Sequence, residues 1–316
     1  CTTPAMSLSD DGAGYSVLVT GPGNAVTSRD ARVSVMEAFD TGGGPEVDVD
    51  FNDYTLPADG ALFGSALILD GVGVNYTPCA VLTEAFESQS GSLLLPAPAG
   101  STPVADFAAT WMMLIGGGSA TAADGASFVF GEDIPDGAFG EGGTGSGLIV
   151  SFDTYDNGDT EVAPEISVTY RGIAVATRPF DIGVLRTGDV FQRVGVRMNR
   201  NGTLDVYCGN TAVYRNLVLP SYTPFSAGRF GWGARTGGSY DNHWVDDVKI
   251  ALNRQPAAGP VIAVALSAGN LVFTWSGGGT LQSTTTLPGT WSAVVGATSG
   301  YTVPANEPAR YYRVVQ

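Results

Sequence analysis

Apolar residues in this chain recur in short runs, often alternating with polar ones, rather than at the spacing of amphipathic helices. From about Val47 to Leu252 the runs fall at 66–69, 91–95, 105–115, 127–130, 148–152, 166–170, 194–198, 204–207, 229–233 and 244–250. Turn-rich stretches separate them, among them GGGSATAADG, PDGAFGEGGTGSG, NRNGT and RTGGSYDN. Roughly a dozen strands at this spacing predict an all-β fold, an antiparallel sandwich of two stacked sheets. NRNGT between two strands reads as a hairpin, with Asn201-Gly202 supplying positive φ.

The ends break the rhythm. Residues 1–35 are rich in Gly, Ser and Thr, with one alternating piece, Tyr15-Ser-Val-Leu-Val, and read as an arm or edge strand. The sandwich is expected over 36–252, and 253–259 reads as a linker containing Gln-Pro-Ala-Ala-Gly. Residues 260–316 hold further strand-like runs, including Leu271-Val-Phe-Thr-Trp and Arg310-Tyr-Tyr-Arg-Val-Val. A β-module of that size is marginal alone and is expected to dock on something.

Composition supports strands and narrows the partners. The 44 glycines and 18 prolines, against 15% charged residues, suit many turns and few helices. A net charge of −16, with Lys249 the sole lysine, argues against a nucleic-acid partner, which needs a basic surface. No apolar run reaches 18 residues, so no transmembrane helix is expected. The chain starts at Cys1 without Met and reads as exported, its signal peptide removed, with lipidation of Cys1 permitted. Cys1, Cys79 and Cys208 form no CxxC pair, which speaks against zinc; in an oxidising compartment Cys79–Cys208 is the preferred disulfide. Asn75-Tyr-Thr and Asn201-Gly-Thr match the glycosylation sequon.

The chemistry concentrates in VSFDTYDNGDTEVAPEISVTY, residues 150–170, where Asp153, Asp156, Asn157, Asp159 and Glu161 crowd one turn. Oxygen donors at this density suit a metal site, a sugar site or a solvated turn. Two more stretches bear on the choice: Ala123-Asp124-Gly125 before Ser-Phe-Val-Phe, and Phe230-Gly-Trp-Gly-Ala-Arg-Thr-Gly-Gly before Asn242-His-Trp-Val-Asp-Asp.

With those three motifs in that order, residues from about 50 to 251 resemble the L-type (legume-type) lectin-like domains of the concanavalin-like lectin/glucanase superfamily. The resemblance implies a jelly-roll-like sandwich with Ca2+ in the loop after the FDT strand. Asp153 would bind through its carboxylate, Tyr155 through its carbonyl and Asn157 through its amide oxygen. Asp159, Glu161 and Asp181 are candidates for a further acid, Asp159 being taken. The implied carbohydrate contacts are Asp124, the glycine loop around Gly143, Asn157, and Gly237 with Gly238. Ser151 stands where legume members carry an acid for a second, transition-metal ion, and Glu165 lies near the position of their metal-binding His, so calcium alone is expected.

Two rival readings stand beside this one. Glu46, Asp48 and Asp50 share one face of a strand, superficially like the acid strand of sandwich-fold β-glucanases. Asp50 is a methylene short, and the stretch opens the sandwich, so no enzyme is expected. His243, the single histidine, lacks partners for nucleophile chemistry and is read as structural. The second rival is assembly: mean hydropathy is +0.12, and both ends are β-prone, which would suit a filament or surface-layer subunit binding copies of itself. The reading taken is a secreted or cell-surface, non-enzymatic protein whose partner is a glycan or polysaccharide.

Overall fold

The structure is a computed structural model that describes residues 14–16, 18–21, 24–27, 31–32, 46–97, 103–158, 162–254, 261–276, 279–306 and 310–315. It divides into two compact units, Cys1–Arg254 and Gln255–Gln316. At the N-terminal end, β1 (Gly14–Tyr15) pairs with β4 (Ala31–Arg32), and β2 (Leu18–Gly21) with β3 (Asn24–Thr27). The alternating piece at Tyr15 is thus divided between two short strands.

Two antiparallel sheets make the body of the first unit. One contains β5 (Val47–Val49), β7 (Leu67–Leu69), β8 (Cys79–Thr83), β10 (Val104–Gly116), β15 (Gln192–Met198), β16 (Thr203–Cys208), β17 (Thr211–Val218) and β19 (Asn242–Arg254). Its order is β17-β16-β15-β10-β19-β8-β7, with β5 also pairing with β19. The other contains β6 (Ala61–Gly64), β9 (Ser90–Pro96), β11 (Gly125–Gly131), β12 (Leu148–Asp153), β13 (Glu165–Tyr170), β14 (Ile173–Pro179) and β18 (Arg229–Arg235), in the order β14-β13-β12-β11-β18-β9-β6. A one-turn helix, α1 (Ile182–Leu185), is capped by the Asp181 carboxylate, which accepts from Gly183 N at 2.8 Å.

Alternation fills the space between the sheets. Phe107, Ala109, Trp111, Met113 and Ile115 of β10 point inward, as do Phe128 and Phe130 of β11 and Phe230 and Trp232 of β18. Their rings interlock: Trp111 stacks on Phe128 at 5.1 Å, and Phe130 on Phe230 at 4.4 Å.

The outer face of the second sheet carries a smaller cluster of Leu94, Val129, Ile134 and Phe139. Gly231 and Gly233 alternate with inward Phe230 and Trp232, leaving that face flat enough for Phe139 and the loop 132–147 to lie on it. A Cβ on Gly233 would overlap the Phe139 ring and come within 2.6 Å of its carbonyl oxygen. Gly233→Ala is therefore expected to cost about 1–3 kcal/mol through overpacking. Urea denaturation checks this, and an unchanged midpoint would contradict the packing described.

Several expectations are corrected. Cys79 and Cys208 are free and buried, and no disulfide joins them. Four strand steps separate β8 from β16, about 19 Å at the usual strand spacing, far beyond disulfide reach. Burial pushes both thiols up to about 12, so they stay protonated. The first two residues expected in the linker, Asn253 and Arg254, continue β19 and pair with β10. In the NRNGT turn Gly202 takes positive φ (80°), and the Asn201 side chain instead accepts from Thr203 N and Oγ1.

Asp246, buried in β19, accepts from Val74 N and Asp247 N, each at 2.8 Å. Burial, with Asp247 and Asp50 adding repulsion, raises its carboxyl to about 6. The folded state holds that proton more tightly than the unfolded chain does. This group's contribution is therefore full below the ordinary value of 3.8 and is lost as pH rises through about 6. Asp246→Asn is expected to flatten the fall in Tm between pH 4 and 7; a slope as steep as the parent's would contradict it.

In the second unit, β20 (Val261–Ser267), β21 (Asn270–Ser276) and β24 (Tyr301–Pro304) form one three-stranded sheet. The other comprises β22 (Thr280–Thr284), β23 (Ser292–Ala293) and β25 (Tyr311–Val315). Phe273 and Tyr312 meet at 4.4 Å, and Phe273 and Leu281 are the buried apolar residues of this unit among those described.

Candidate functional site

The three sequence motifs lie far apart in the chain but end on adjacent strands. Gly125, which opens β11, is in register with Asp153, which closes β12, and with Arg235, which closes β18. Arg235 is in turn opposite Ser90, which opens β9. A cross-strand row Asp153–Gly125–Arg235–Ser90 therefore marks one end of the seven-stranded sheet. The turns beyond it supply Asp124, Tyr155 with Asn157, Thr236–Ser239, and Ser88–Gln89.

Those turns enclose a cleft of about 600 Å³ lined by Ser88, Gln89, Ser90, Asp124, Tyr155, Asn157, Arg235, Thr236, Gly237, Gly238 and Ser239. Backbone bonds join its walls: Asp124 N donates to Arg235 O at 2.9 Å, Thr154 N to Asp124 O at 3.0 Å, and Ser88 N to Gly237 O at 3.0 Å. Thr236 Oγ1 donates to Phe86 O at 2.7 Å and accepts from Gln89 N at 2.9 Å. The Ala123–Asp124 peptide bond is cis.

Asp124 is 8% exposed, and its Oδ2 lies 3.0 Å from Arg235 Nε. Arg235 Nη2 also donates to the Glu141 carboxylate. Burial raises the Glu141 carboxyl above its ordinary value, although the neighbouring guanidinium opposes the shift. Behind Asp124, the segment 118–123 is tied down by a buried ion pair. Asp241 Oδ1 accepts from Arg186 Nη2 at 2.8 Å, Arg186 Nε at 3.1 Å and Gly118 N at 3.0 Å. Arg186 also donates to the carbonyls of Ser119 and Ala120.

Of the five expected carbohydrate contacts, Asp124, Asn157, Gly237 and Gly238 line this cleft. Gly237 N–H is engaged in a turn with Ser239 O at 3.0 Å. Gly143 is elsewhere: a Cβ there would sit 2.5 Å from Ile149 and 3.0 Å from Val129, both on the sheet's outer face. Of the expected calcium ligands, Asp153 is 6% exposed and its Oδ1 accepts from Tyr155 N at 2.9 Å; Asn157 is exposed. Asp159 and Glu161 lie outside the described residues. Asp181 is engaged as the α1 cap. Glu165 faces Asp153 in register and is also 6% exposed. Among the described residues, no three His, Cys, Asp or Glu side chains are grouped to hold an ion. Ser151 lies in a cross-strand row with Ser127 and Ser167.

Sequence reading missed Arg235 as the partner of Asp124, Glu141 as the second partner of Arg235, and the Ser88–Ser90 wall altogether. Asp-Gly and Arg-Thr-Gly flagged two of the turns, but which acid meets which cation depends on register. The rival acids lie on the exposed face of β5 and just beyond its ends. There Asp48 pairs with Lys249 Nζ at 2.6 Å, and Asp50 accepts from Asn52 Nδ2 at 2.9 Å. His243 is buried: its Nδ1 lies 2.7 Å from Thr83 Oγ1, which also reaches Asp241 O at 3.2 Å. With the proton on Nδ1, His243 donates to Thr83 and Thr83 to the carbonyl, while the buried Nε2 has no hydrogen-bond partner. Burial lowers the imidazole to about 3, so it remains neutral.

The fold that emerges is a two-sheet antiparallel sandwich with a cleft at one end of the second sheet. No protein-family model and no curated protein matches the chain. Among solved structures it is similar to the exoplasmic/lumenal domain of VIP36 in its Ca2+/Man3GlcNAc-bound form, with 21% identity and a TM-score of 0.48, covering 63% of this chain and 88% of that one. It is similar also to the carbohydrate recognition domain of Emp47p, at 16% identity and a TM-score of 0.47, covering 65% and 93%. A lectin from Bauhinia forficata in complex with GalNAc gives 16% identity and a TM-score of 0.45, covering 66% and 98%. The fold assignment itself rests on the strand order and register above. No helix among the described residues is long and apolar enough to cross a membrane.

Proposed function

We propose that the cleft binds a neutral glycan and that calcium shapes its Tyr155–Asn157 wall, making the chain a non-enzymatic carbohydrate-binding protein. The observation that carries this reading is the convergence of Asp124, Tyr155, Asn157 and Gly238, from three separate stretches, on one cleft. Sugar hydroxyls donate well to a carboxylate and to an amide oxygen, and a carboxylate acceptor makes the stronger, charge-assisted bond. The half-exposed Tyr155 adds an apolar surface with a polar tip.

The donors beside the cleft fit calcium. Asp153 offers a carboxylate, Tyr155 a carbonyl and Asn157 an amide oxygen, all hard ligands of the kind calcium takes. Glu165 stands directly across the ladder from Asp153, which places a second carboxylate at this end of the sheet. Asp153 also steers the chain itself, since its bond from Tyr155 N turns the backbone toward the cleft.

A glycan array probed with the full chain in calcium tests the reading. Binding is expected, with loss in chelator. Asp124→Asn, which removes a charged acceptor, is expected to weaken it about ten- to a hundredfold. An Asp124→Asn chain that binds as the parent does would contradict the role given to the cleft.

A further inference from the structure

We infer that Arg235 is a positioning residue of this cleft, holding Asp124 in place through a bridge to buried Glu141. The inference rests on the carbohydrate reading above for what Asp124 does, and on the geometry alone for what Arg235 does.

Arg235 closes β18 and stands beside Gly125 in register, next to Asp124. Its Nε lies 3.0 Å from Asp124 Oδ2, and its Nη2 donates to Glu141 Oε1. Glu141 is 8% exposed and belongs to the loop 132–147. That loop is held on the sheet: Ser127 Oγ donates to Gly140 O at 2.7 Å, Ser92 Oγ to Gly137 O at 2.9 Å, and Phe139 packs over Gly231 and Gly233. Gly140 leaves room for the side chain, since a Cβ there would fall 2.7 Å from Arg235 Cβ. A fixed loop thus anchors Glu141, Glu141 anchors the guanidinium, and the guanidinium anchors Asp124.

The bridge determines which oxygen Asp124 presents. Oδ2 is engaged by Arg235, while Oδ1 is the nearer to Gly237, 3.4 Å from where a Cβ would stand. A planar guanidinium fixes the carboxylate's rotation in a way that an ammonium cannot. A ligand meeting a fixed acceptor is spared the ordering of that side chain, an effect of about three- to tenfold in affinity. With two carboxylates already on Arg235, an acidic sugar gains little from it, so the cleft should prefer neutral glycans.

The test measures the affinity of the full chain, in calcium, for methyl α-mannoside, methyl α-galactoside and N-acetylneuraminic acid, using the parent, Arg235→Met, Arg235→Lys and Glu141→Gln. Glu141 is absent from the cleft lining, and its carboxylate is joined to the cleft by its bond from Arg235. Arg235→Met should weaken the neutral glycoside about tenfold and Glu141→Gln about threefold. Arg235→Lys should recover part of the loss. On an Asp124→Asn background, Arg235→Met should add no further loss. Unchanged affinity in Arg235→Met and Glu141→Gln overturns the inference, as does a loss confined to the acidic sugar. If the parent binds none of the three and a full array is also blank, the carbohydrate reading fails. The bridge is then judged by thermal denaturation of Asp124→Asn, Arg235→Met and the double variant, where strict additivity would overturn it too.

Discussion

Trp111→Ala is expected to lower the free energy of unfolding by about 3–5 kcal/mol, the range for emptying a large aromatic site. Trp111 is 1% exposed at the middle of β10, the strand between β15 and β19. Its ring stacks on Phe128 at 5.1 Å and meets Trp232 at 5.7 Å and Phe152 at 6.3 Å, all on the opposite sheet. Alanine would leave these three rings facing a void that the rigid ladders cannot close. Urea denaturation should show a lower midpoint at an unchanged slope. A loss under 1 kcal/mol would mean that the two sheets do not meet through this ring.

The second large effect is at Arg186→Met. Asp241 is fully buried, and Arg186 is the cation beside it, at 2.8 Å. Removing one partner of a buried pair costs about 3–5 kcal/mol, because the remaining charge has no compensation. Burial already raises the Asp241 carboxyl above 3.8, with Arg186 opposing the shift, and Arg186→Met would raise it further. A raised folded-state carboxyl contributes stability at low pH and loses it as pH rises. The deficit should therefore be largest at neutral pH and shrink as pH falls towards 3.8, by denaturation at pH 7 and 4. A deficit that does not depend on pH would place the cost in packing rather than charge. Because Arg186 also holds the Ser119 and Ala120 carbonyls, glycan affinity should fall with stability.

Much of the fold is legible in the sequence, and the exceptions have physical causes. Every apolar run noted between 66 and 250 falls on a strand, with Ala66 just outside β7, because inward positions on a half-buried strand repeat every second residue. β14 and β17 went unnoticed because they are the edges of their sheets. Ile173 and Val218 are exposed there, and Ala, Thr and Arg dilute the apolar face. β8, Cys-Ala-Val-Leu-Thr, is buried throughout and shows no alternation to detect.

The site divides the same way. Its turns were visible as Asp-Gly, FDTYDN and ARTGG, each carrying residues that turns or oxygen-donor sites favour. The row Asp153–Gly125–Arg235–Ser90 was not visible, since it depends on which strands are neighbours and in what register. Without the register, Arg235 reads as a solvated cation and Glu141 as one acid in a glycine loop. The surroundings of Gly143 were not visible for the same reason: the loop's sequence does not say which face of the sheet it covers, and the neighbours of Gly143 are Ile149 and Val129.

The most direct test of the cleft is a crystal structure of the full chain grown with calcium and the glycan that binds best on the array. The account predicts a sugar held by Asp124, Asn157 and Gly238, with Arg235 still bridging Asp124 to Glu141. It also predicts an ion ligated by Asp153, the Tyr155 carbonyl and Asn157. A sugar bound elsewhere on the chain, or no ion at Asp153 in saturating calcium, would contradict it.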